Sequence, residues 1–302
     1  MLQVLVPLYF LILSKDISQV VSWDPSNFTF NPGDSYELVW QDEFENIGPS
    51  KAIIDGKPAY SPNPANWAHI LGTHCDAGLE NYTDSIYNSY VQDDQLTIVA
   101  MKEGYQSAML TTVDLHEFTF GEFAAKITLP FGDGIWPAWW MWGHDHETGL
   151  NWPTVGEIDI IEMYGGSKIP NYTDAYSHAT VHWNNESNTM NPVNNKAIGY
   201  VWQTPDNSPL HNHSLVYWTE WTPNNITIGV NEFVYFNINT TTFPNSINPV
   251  WAFSGKWPFR LLLDIAINLW APGPPDNTTV WPQKMVVDWV RVYQKKKDFF
   301  FF

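Results

Sequence analysis

A chain of 302 residues without a dividing linker has the length of one large all-β domain, and its 44% hydrophobic content excludes a disordered polymer. Fourteen Lys and Arg against 32 Asp and Glu give a net charge of −18, which repels polyphosphate and excludes a nucleic-acid binder in favour of a neutral or cationic partner. The 17 Trp and 14 Tyr exceed what core packing usually requires, so some rings are expected to meet a ligand.

Met1 to Leu13 form an apolar run of signal-peptide length, too short to span a bilayer. Residues 1–22 are read as a secretory signal ending near Ser18 or Ser22, although no Lys or Arg precedes the run. Eight N-x-S/T sites, at Asn27, Asn81, Asn171, Asn185, Asn212, Asn225, Asn239 and Asn277, agree with export of a glycoprotein. Cys75 is the only cysteine, so no internal disulfide forms and the core must supply the stability; a buried, inert thiol is expected.

Strand-like runs with period-two alternation or β-branched and aromatic enrichment follow at Tyr36 to Trp40, Gln95 to Met101, Phe118 to Leu129 and Ile135 to Trp142. More lie at Gly156 to Met163, His178 to Trp183, Leu215 to Trp221, Ile226 to Val230, Phe233 to Ile238, Arg260 to Leu269 and Met285 to Tyr293. Pro, Gly and Asn clusters such as Pro272-Gly-Pro-Pro-Asp276 separate them, because Pro lacks a ladder donor and Gly and Asn accept turn conformations. No helical pattern or fixed-period repeat competes. The prediction is an all-β sandwich or barrel in one domain over 23–294, with a disordered tail at 295–302 where a charge run meets four phenylalanines.

Gly156-Glu-Ile-Asp-Ile-Ile-Glu-Met163 sets three acids in a strongly strand-forming stretch, which is costly unless they act. Strict alternation puts Glu157 and Asp159 on one face and Glu162 on the other. A β-bulge at Ile160 or Ile161 would return Glu162 to the shared face. Two carboxyl groups with pKa values pushed apart are what glycoside hydrolysis needs, and Asp159 is placed between them to do the pushing. An exposed acidic edge strand is the bland alternative; the intervening isoleucines speak for a central strand instead. In Trp136-Pro-Ala-Trp-Trp-Met-Trp142, alternation puts Trp136, Trp140 and Trp142 on one face and Trp139 and Met141 on the other, so one face can be cleft and one core. Indoles suit the apolar faces of pyranose rings. No H-E-x-x-H, paired C-x-x-C, P-loop or G-x-S-x-G pattern occurs.

Glu157-Ile-Asp-Ile-Ile-Glu162 resembles the E-x-D-x-x-E signature of glycoside hydrolase family 16, in its laminarinase-like branch. Leu38-Val-Trp-Gln-Asp-Glu-Phe44, Gly134-Ile-Trp-Pro-Ala-Trp-Trp-Met-Trp-Gly143, Glu220-Trp-Thr-Pro223 and Val287-Asp-Trp-Val-Arg-Val-Tyr293 are similar to other segments of that family, so the resemblance runs from about Tyr36 to Gln294. It implies a β-jelly-roll sandwich of two curved antiparallel sheets with a concave cleft. It also implies a secreted, monomeric enzyme that hydrolyses β-1,3 or mixed β-1,3/1,4 glucans internally with retention. Glu157 would be the nucleophile, Glu162 the acid/base, and Trp136, Trp140, His182 and Asn88 substrate contacts. No cofactor is required. Asp288 matches a position that binds structural Ca²⁺ in some relatives, although one carboxylate cannot specify an ion that takes roughly 6–8 oxygen ligands. Two cleft segments depart from the family: Ser107-Ala-Met-Leu110 lacks the usual Arg, and Asp264-Ile-Ala-Ile-Asn-Leu-Trp270 replaces N-x-A-x-G-G. Subsite preference therefore does not carry over. Transglycosylation on the same carboxylates, or non-catalytic glucan recognition, are the competing expectations; recognition proteins of this kind have lost one or both glutamates, and this chain keeps both.

Overall fold

The computed structural model describes residues 23–73, 78–147, 149–166, 170–184, 195–241, 250–268 and 273–296. The signal read at 1–22, Cys75, the acceptor Asn185 and the tail beyond Lys296 lie outside these residues.

Alternating apolar and polar side chains build two large antiparallel sheets of eight strands each. The first orders its strands as Asn195–Gln203, Tyr176–Asn184, Glu157–Glu162, Ile135–Gly143, Phe259–Ile267, Met109–Thr111 and Ala68–Ile70, with Glu117–Phe118 also paired to Phe259–Ile267. We call it the cleft sheet, and its Glu157–Glu162, Ile135–Gly143 and Tyr176–Asn184 members the carboxylate, tryptophan and histidine strands. The second runs Phe233–Asn239, Asn225–Val230, Ser214–Trp221, Gly121–Thr128, Gln283–Lys295, Gln95–Ala100 and Ser89–Gln92, with Tyr36–Asp42 on the far end of Gln283–Lys295.

One buried cluster joins the sheets: Trp139, Met141, Ile158, Ile160, Ile161, Val181, Leu263 and Ile265 meet Leu96, Ile98, Phe123, Ile127, Tyr217, Val287 and Val290. Each such aliphatic or aromatic side chain contributes about 1.5–3 kcal/mol by leaving water. The cleft sheet's core residues alternate with the candidate site residues, so the packing that fixes the sheet also aims the site.

The predicted Phe118 to Leu129 strand is two strands in two different sheets. Glu117–Phe118 belongs to the cleft sheet and Gly121–Thr128 to its partner. The chain crosses over at Phe120 (φ 60°) and Gly121 (φ 135°), and a Cβ on Gly121 would lie 2.4 Å from the Tyr293 carbonyl oxygen. Three members of the cleft sheet have no counterpart in the sequence reading: Ala68–Ile70, Met109–Thr111 and Asn195–Gln203. At the far end, Lys295 still pairs with Tyr36, and the Lys296 amide donates to the Ser35 carbonyl at 2.9 Å, so the domain extends beyond the boundary drawn at 294. Among the described residues no helix is long and apolar enough to cross a membrane.

Candidate active site

The carboxylate strand carries the bulge that its sequence requires. Trp140 faces Asp159 across the ladder while Trp139 faces Ile161, leaving Ile160 as the extra residue; on the other side Thr180 pairs with Asp159 and His178 with Glu162. Ile160 and Ile161 both point into the core, and Glu157, Asp159 and Glu162 come to one face. Gly156 starts the strand at φ 86°, where a Cβ would press on Ala252 and Phe259 at 3.0 and 3.1 Å, so glycine is demanded there.

Around Glu162 the tryptophan strand and the segment after the bulge supply two donors. Trp136 Nε1 donates to Glu162 Oε1 at 2.9 Å, and the Tyr164 hydroxyl donates to the same oxygen at 3.0 Å. The Trp136 and Tyr164 rings lie 5.1 Å apart. At the other end, His182 is the ladder partner of Glu157; its Nε2 sits 3.8 Å from Glu157 Oε1 and 3.4 Å from Asp159 Oδ2, while Nδ1 lies 3.2 Å from Asn195 Oδ1. Trp140 Nε1 donates to Asp264 Oδ1, and Tyr82 to Asp264 Oδ2, both at 2.7 Å. Trp142 stacks on Trp140 with centroids 6.0 Å apart, and the Arg260 guanidinium lies over its ring at 4.1 Å.

Burial dominates the electrostatics. Glu157 and Asp159 are held well above the usual carboxylate range, first by loss of water and then by neighbouring carboxylates: Asp159 for Glu157, and Glu162 and Asp264 for Asp159. Glu162 is raised by burial, against which its two hydrogen-bond donors and His182 act. Asp264 is pushed up to about 7, again mainly by burial. The contact between the Glu157 and Asp159 carboxyls raises the first and lowers the second. So crowded and dry a face favours protonated carboxyls, which is the condition that lets one carboxyl donate while another stays anionic. The Glu157 side chain nevertheless keeps 16% of its surface open, enough for a reacting atom to reach it.

Two expected contacts are placed elsewhere. Asn88 stands just before the edge strand of the opposite sheet, 1% exposed, donating to the Val99 carbonyl at 3.0 Å and accepting from Thr83 at 2.7 Å, so both ends of its amide are already engaged. Asp288 lies on the second sheet, where it accepts from Gln95 at 2.6 Å and pairs with Lys126 at 2.8 Å. Ca²⁺ wants a cage of oxygen donors, so the ammonium ion and amide NH₂ already on Asp288 do not fit it. Trp136, Trp140, His182 and the three acids are brought together; Trp142 joins their face as alternation places it, and Trp139 and Met141 pack in the core. Tyr164, Tyr82 and Arg260 were not foreseen. Tyr164 had a signal, since it follows Glu162 by two residues; Tyr82 arrives from the short strand Asn81–Tyr82, remote in sequence, and had none.

Residues 79–291 match the glycosyl hydrolases family 16. The chain is 31% identical over 271 residues to the beta-glucanase of Rhodothermus marinus, covering 86% of this chain and 85% of that protein. It is 30% identical over 302 residues to glucan endo-1,3-beta-glucosidase A1 of Niallia circulans, covering 93% of this chain but only 40% of that longer protein. Among solved structures, the catalytic domain of an endo-1,3-beta-glucanase (laminarinase) from Thermotoga petrophila RKU-1 is similar with a TM-score of 0.70 at 29% identity, covering 87% of this chain and 99% of that one.

Proposed function

The chain belongs to the glycosyl hydrolases of family 16, with their all-β jelly roll, and from that premise we propose that it is an endo-acting β-glucanase cleaving β-1,3 or mixed β-1,3/1,4 linkages with retention of configuration. The observation that carries the reading is the bulge: it gathers Glu157, Asp159 and Glu162 on one face beside Trp136.

In the first step the Glu157 carboxylate attacks the anomeric carbon as Glu162 gives its proton to the departing glycosidic oxygen, leaving a glycosyl ester on Glu157. In the second, Glu162, now a carboxylate, takes a proton from water, the resulting hydroxide equivalent attacks the same carbon, and Glu157 leaves. The contact between the two carboxyls raises Glu157 and lowers Asp159, which keeps their shared proton on Glu157 at rest; Asp159 takes that proton as Glu157 becomes the attacking carboxylate. His182 stands within reach of both, its Nε2 3.8 Å from Glu157 Oε1 and 3.4 Å from Asp159 Oδ2. Trp136 and Trp140 offer ring faces to sugar C–H surfaces.

Export through the leader at 1–22 and glycosylation complete the reading; Asn27, Asn81, Asn212, Asn239 and Asn277 are exposed. NMR of the first-formed anomer during laminarin and lichenan hydrolysis tests the mechanism. A β-anomer released first supports retention, whereas an α-anomer, or no reducing sugar from either glucan, would overturn it.

A further inference from the structure

Beyond the cleft, a second group of metal-ligating side chains converges where the tryptophan strand ends. Asp114 and Glu117 come from the turn that leads into Glu117–Phe118, and His144 and His146 from the loop that follows Gly143. Both segments hang on the same strand. Glu117 pairs with Arg260, the Thr112 amide donates to the Leu261 carbonyl at 3.1 Å, and the His144 amide donates to the Pro258 carbonyl at 2.9 Å. Sheet hydrogen bonds thus set the distance between the two loops before any side chain interacts. The loop bearing His146 is further fixed by Asp145, which is buried and accepts from the amides of Glu147 and Leu150 at 3.0 and 3.1 Å.

His144 Nδ1 lies 2.6 Å from Glu117 Oε1, and His146 Nε2 sits 2.5 Å from Glu117 Oε2. The two imidazoles face each other with centroids 3.9 Å apart, and Asp114 Oδ1 lies 3.9 Å from His144 Nδ1 and 4.0 Å from His146 Nδ1. One ligand atom from each of the four residues falls within 4.8 Å of all the others.

We propose that Asp114, Glu117, His144 and His146 form a binding site for a divalent transition-metal ion of the zinc class. Two imidazoles and two carboxylates are a borderline donor set that suits Zn²⁺, whereas Ca²⁺ and Mg²⁺ prefer oxygen alone. Bond lengths of about 2.0–2.2 Å put neighbouring ligands of a tetrahedral ion a little over 3 Å apart, which side-chain rotations alone can reach from the present spacing. The ion would satisfy both imidazoles and both carboxylates at once and neutralise two negative charges on a strongly acidic chain. It would also tie the 112–117 turn to the 144–150 loop, on either side of Arg260 and the Trp142 end of the cleft. This role is structural and separate from the glycosidic chemistry.

The test is calorimetric titration of metal-stripped protein with Zn²⁺, together with thermal unfolding. One site per chain and a raised Tm are expected, with no comparable heat from Ca²⁺ or Mg²⁺. H146A removes a half-exposed ring and D114N an exposed carboxylate, so neither endangers folding; each should weaken binding by at least about tenfold. Because Glu157, Asp159 and His182 also lie close enough to hold an ion, the titration is repeated in H182A, which should keep the site. Absence of stoichiometric binding, undiminished binding in H146A and D114N, or loss of binding in H182A alone would each overturn the assignment.

Discussion

Tyr164→Phe should move the alkaline limb of the pH–rate profile upward by about one unit and leave the acid limb in place. The hydroxyl donates to Glu162 Oε1 at 3.0 Å, beside the Trp136 indole N–H at 2.9 Å, and both bonds favour the ionised carboxyl against the burial that raises its pKa. A hydrogen bond to a charged group is worth about 1.5–3 kcal/mol net, and 1.36 kcal/mol is one pKa unit, so its loss corresponds to roughly one to two units. The remaining Trp136 donor takes up part of this, which favours the lower figure. Glu162 must carry its proton to protonate the leaving group, so activity falls as pH rises through its pKa; raising that pKa moves the fall to higher pH. The assay is kcat/KM on laminarin between about pH 4 and 10 at fixed ionic strength, since that ratio reports the free enzyme's acid and base. An unmoved alkaline limb, a downward shift, or a shift of the acid limb instead would refute Glu162 as the acid. Trp136→Phe removes the companion donor and should shift the same limb in the same direction.

Glu157→Ala should abolish activity on every glycoside, with azide restoring turnover as an inverted azide product; Glu162→Ala should lose about 10²–10⁴-fold on laminarin, keep much of its rate on an activated aryl glycoside, and give a retained product with azide. Asp159→Asn should fall between these knockouts and the wild type on laminarin, and an effect as large as that of Glu157→Ala would make it more than a tuning group. Trp136→Ala should raise KM roughly ten- to hundredfold through lost stacking, and unchanged Michaelis constants would place the ring outside the sugar path. Glu122, pushed up to about 8 by burial and by Glu220 opposite it, is neutral below its unfolded pKa and costs stability as pH rises toward 8. Glu122→Gln should therefore raise Tm at about pH 9 and leave it unchanged near pH 4, and equal melting at both would dismiss the buried charge.

Much of the fold was legible because alternation is a local signal. The carboxylate, tryptophan and histidine strands are found within two residues of their expected ends, since each is dense in β-branched or aromatic side chains whose faces the period of two assigns. What escaped was set by distant partners. Asn195–Gln203 is an edge strand whose Lys196, Gly199 and Gln203 dilute the alternation, and only pairing with the histidine strand reveals it. The break at Phe120 depends on two sheets diverging, which no window of sequence contains. Asn88 and Asp288 show the matching limit for single residues: a polar side chain can be matched by position, but whether its atoms are already engaged depends on Thr83, Val99, Gln95 and Lys126 from elsewhere in the chain.

The bulge unites these two kinds of information. Glu162 lies five positions after Glu157, and a regular strand would drive it into the isoleucine face, where burying a carboxyl without partners costs several kcal/mol. The same slip would expose an isoleucine to the cleft and forfeit about 1.5–3 kcal/mol of burial. Consecutive isoleucines between acids therefore announce an irregular strand, because both hydrophobes demand one face and both acids the other. The cost of a bulge is a backbone group left out of the ladder, and the structure meets it from the opposite sheet. The Tyr235 hydroxyl, itself bonded to Ser177 at 3.0 Å, reaches the Ile160 carbonyl at 3.3 Å. The acid pattern predicts where the strand must bend; a tyrosine 75 residues away, invisible to that pattern, helps it stay bent.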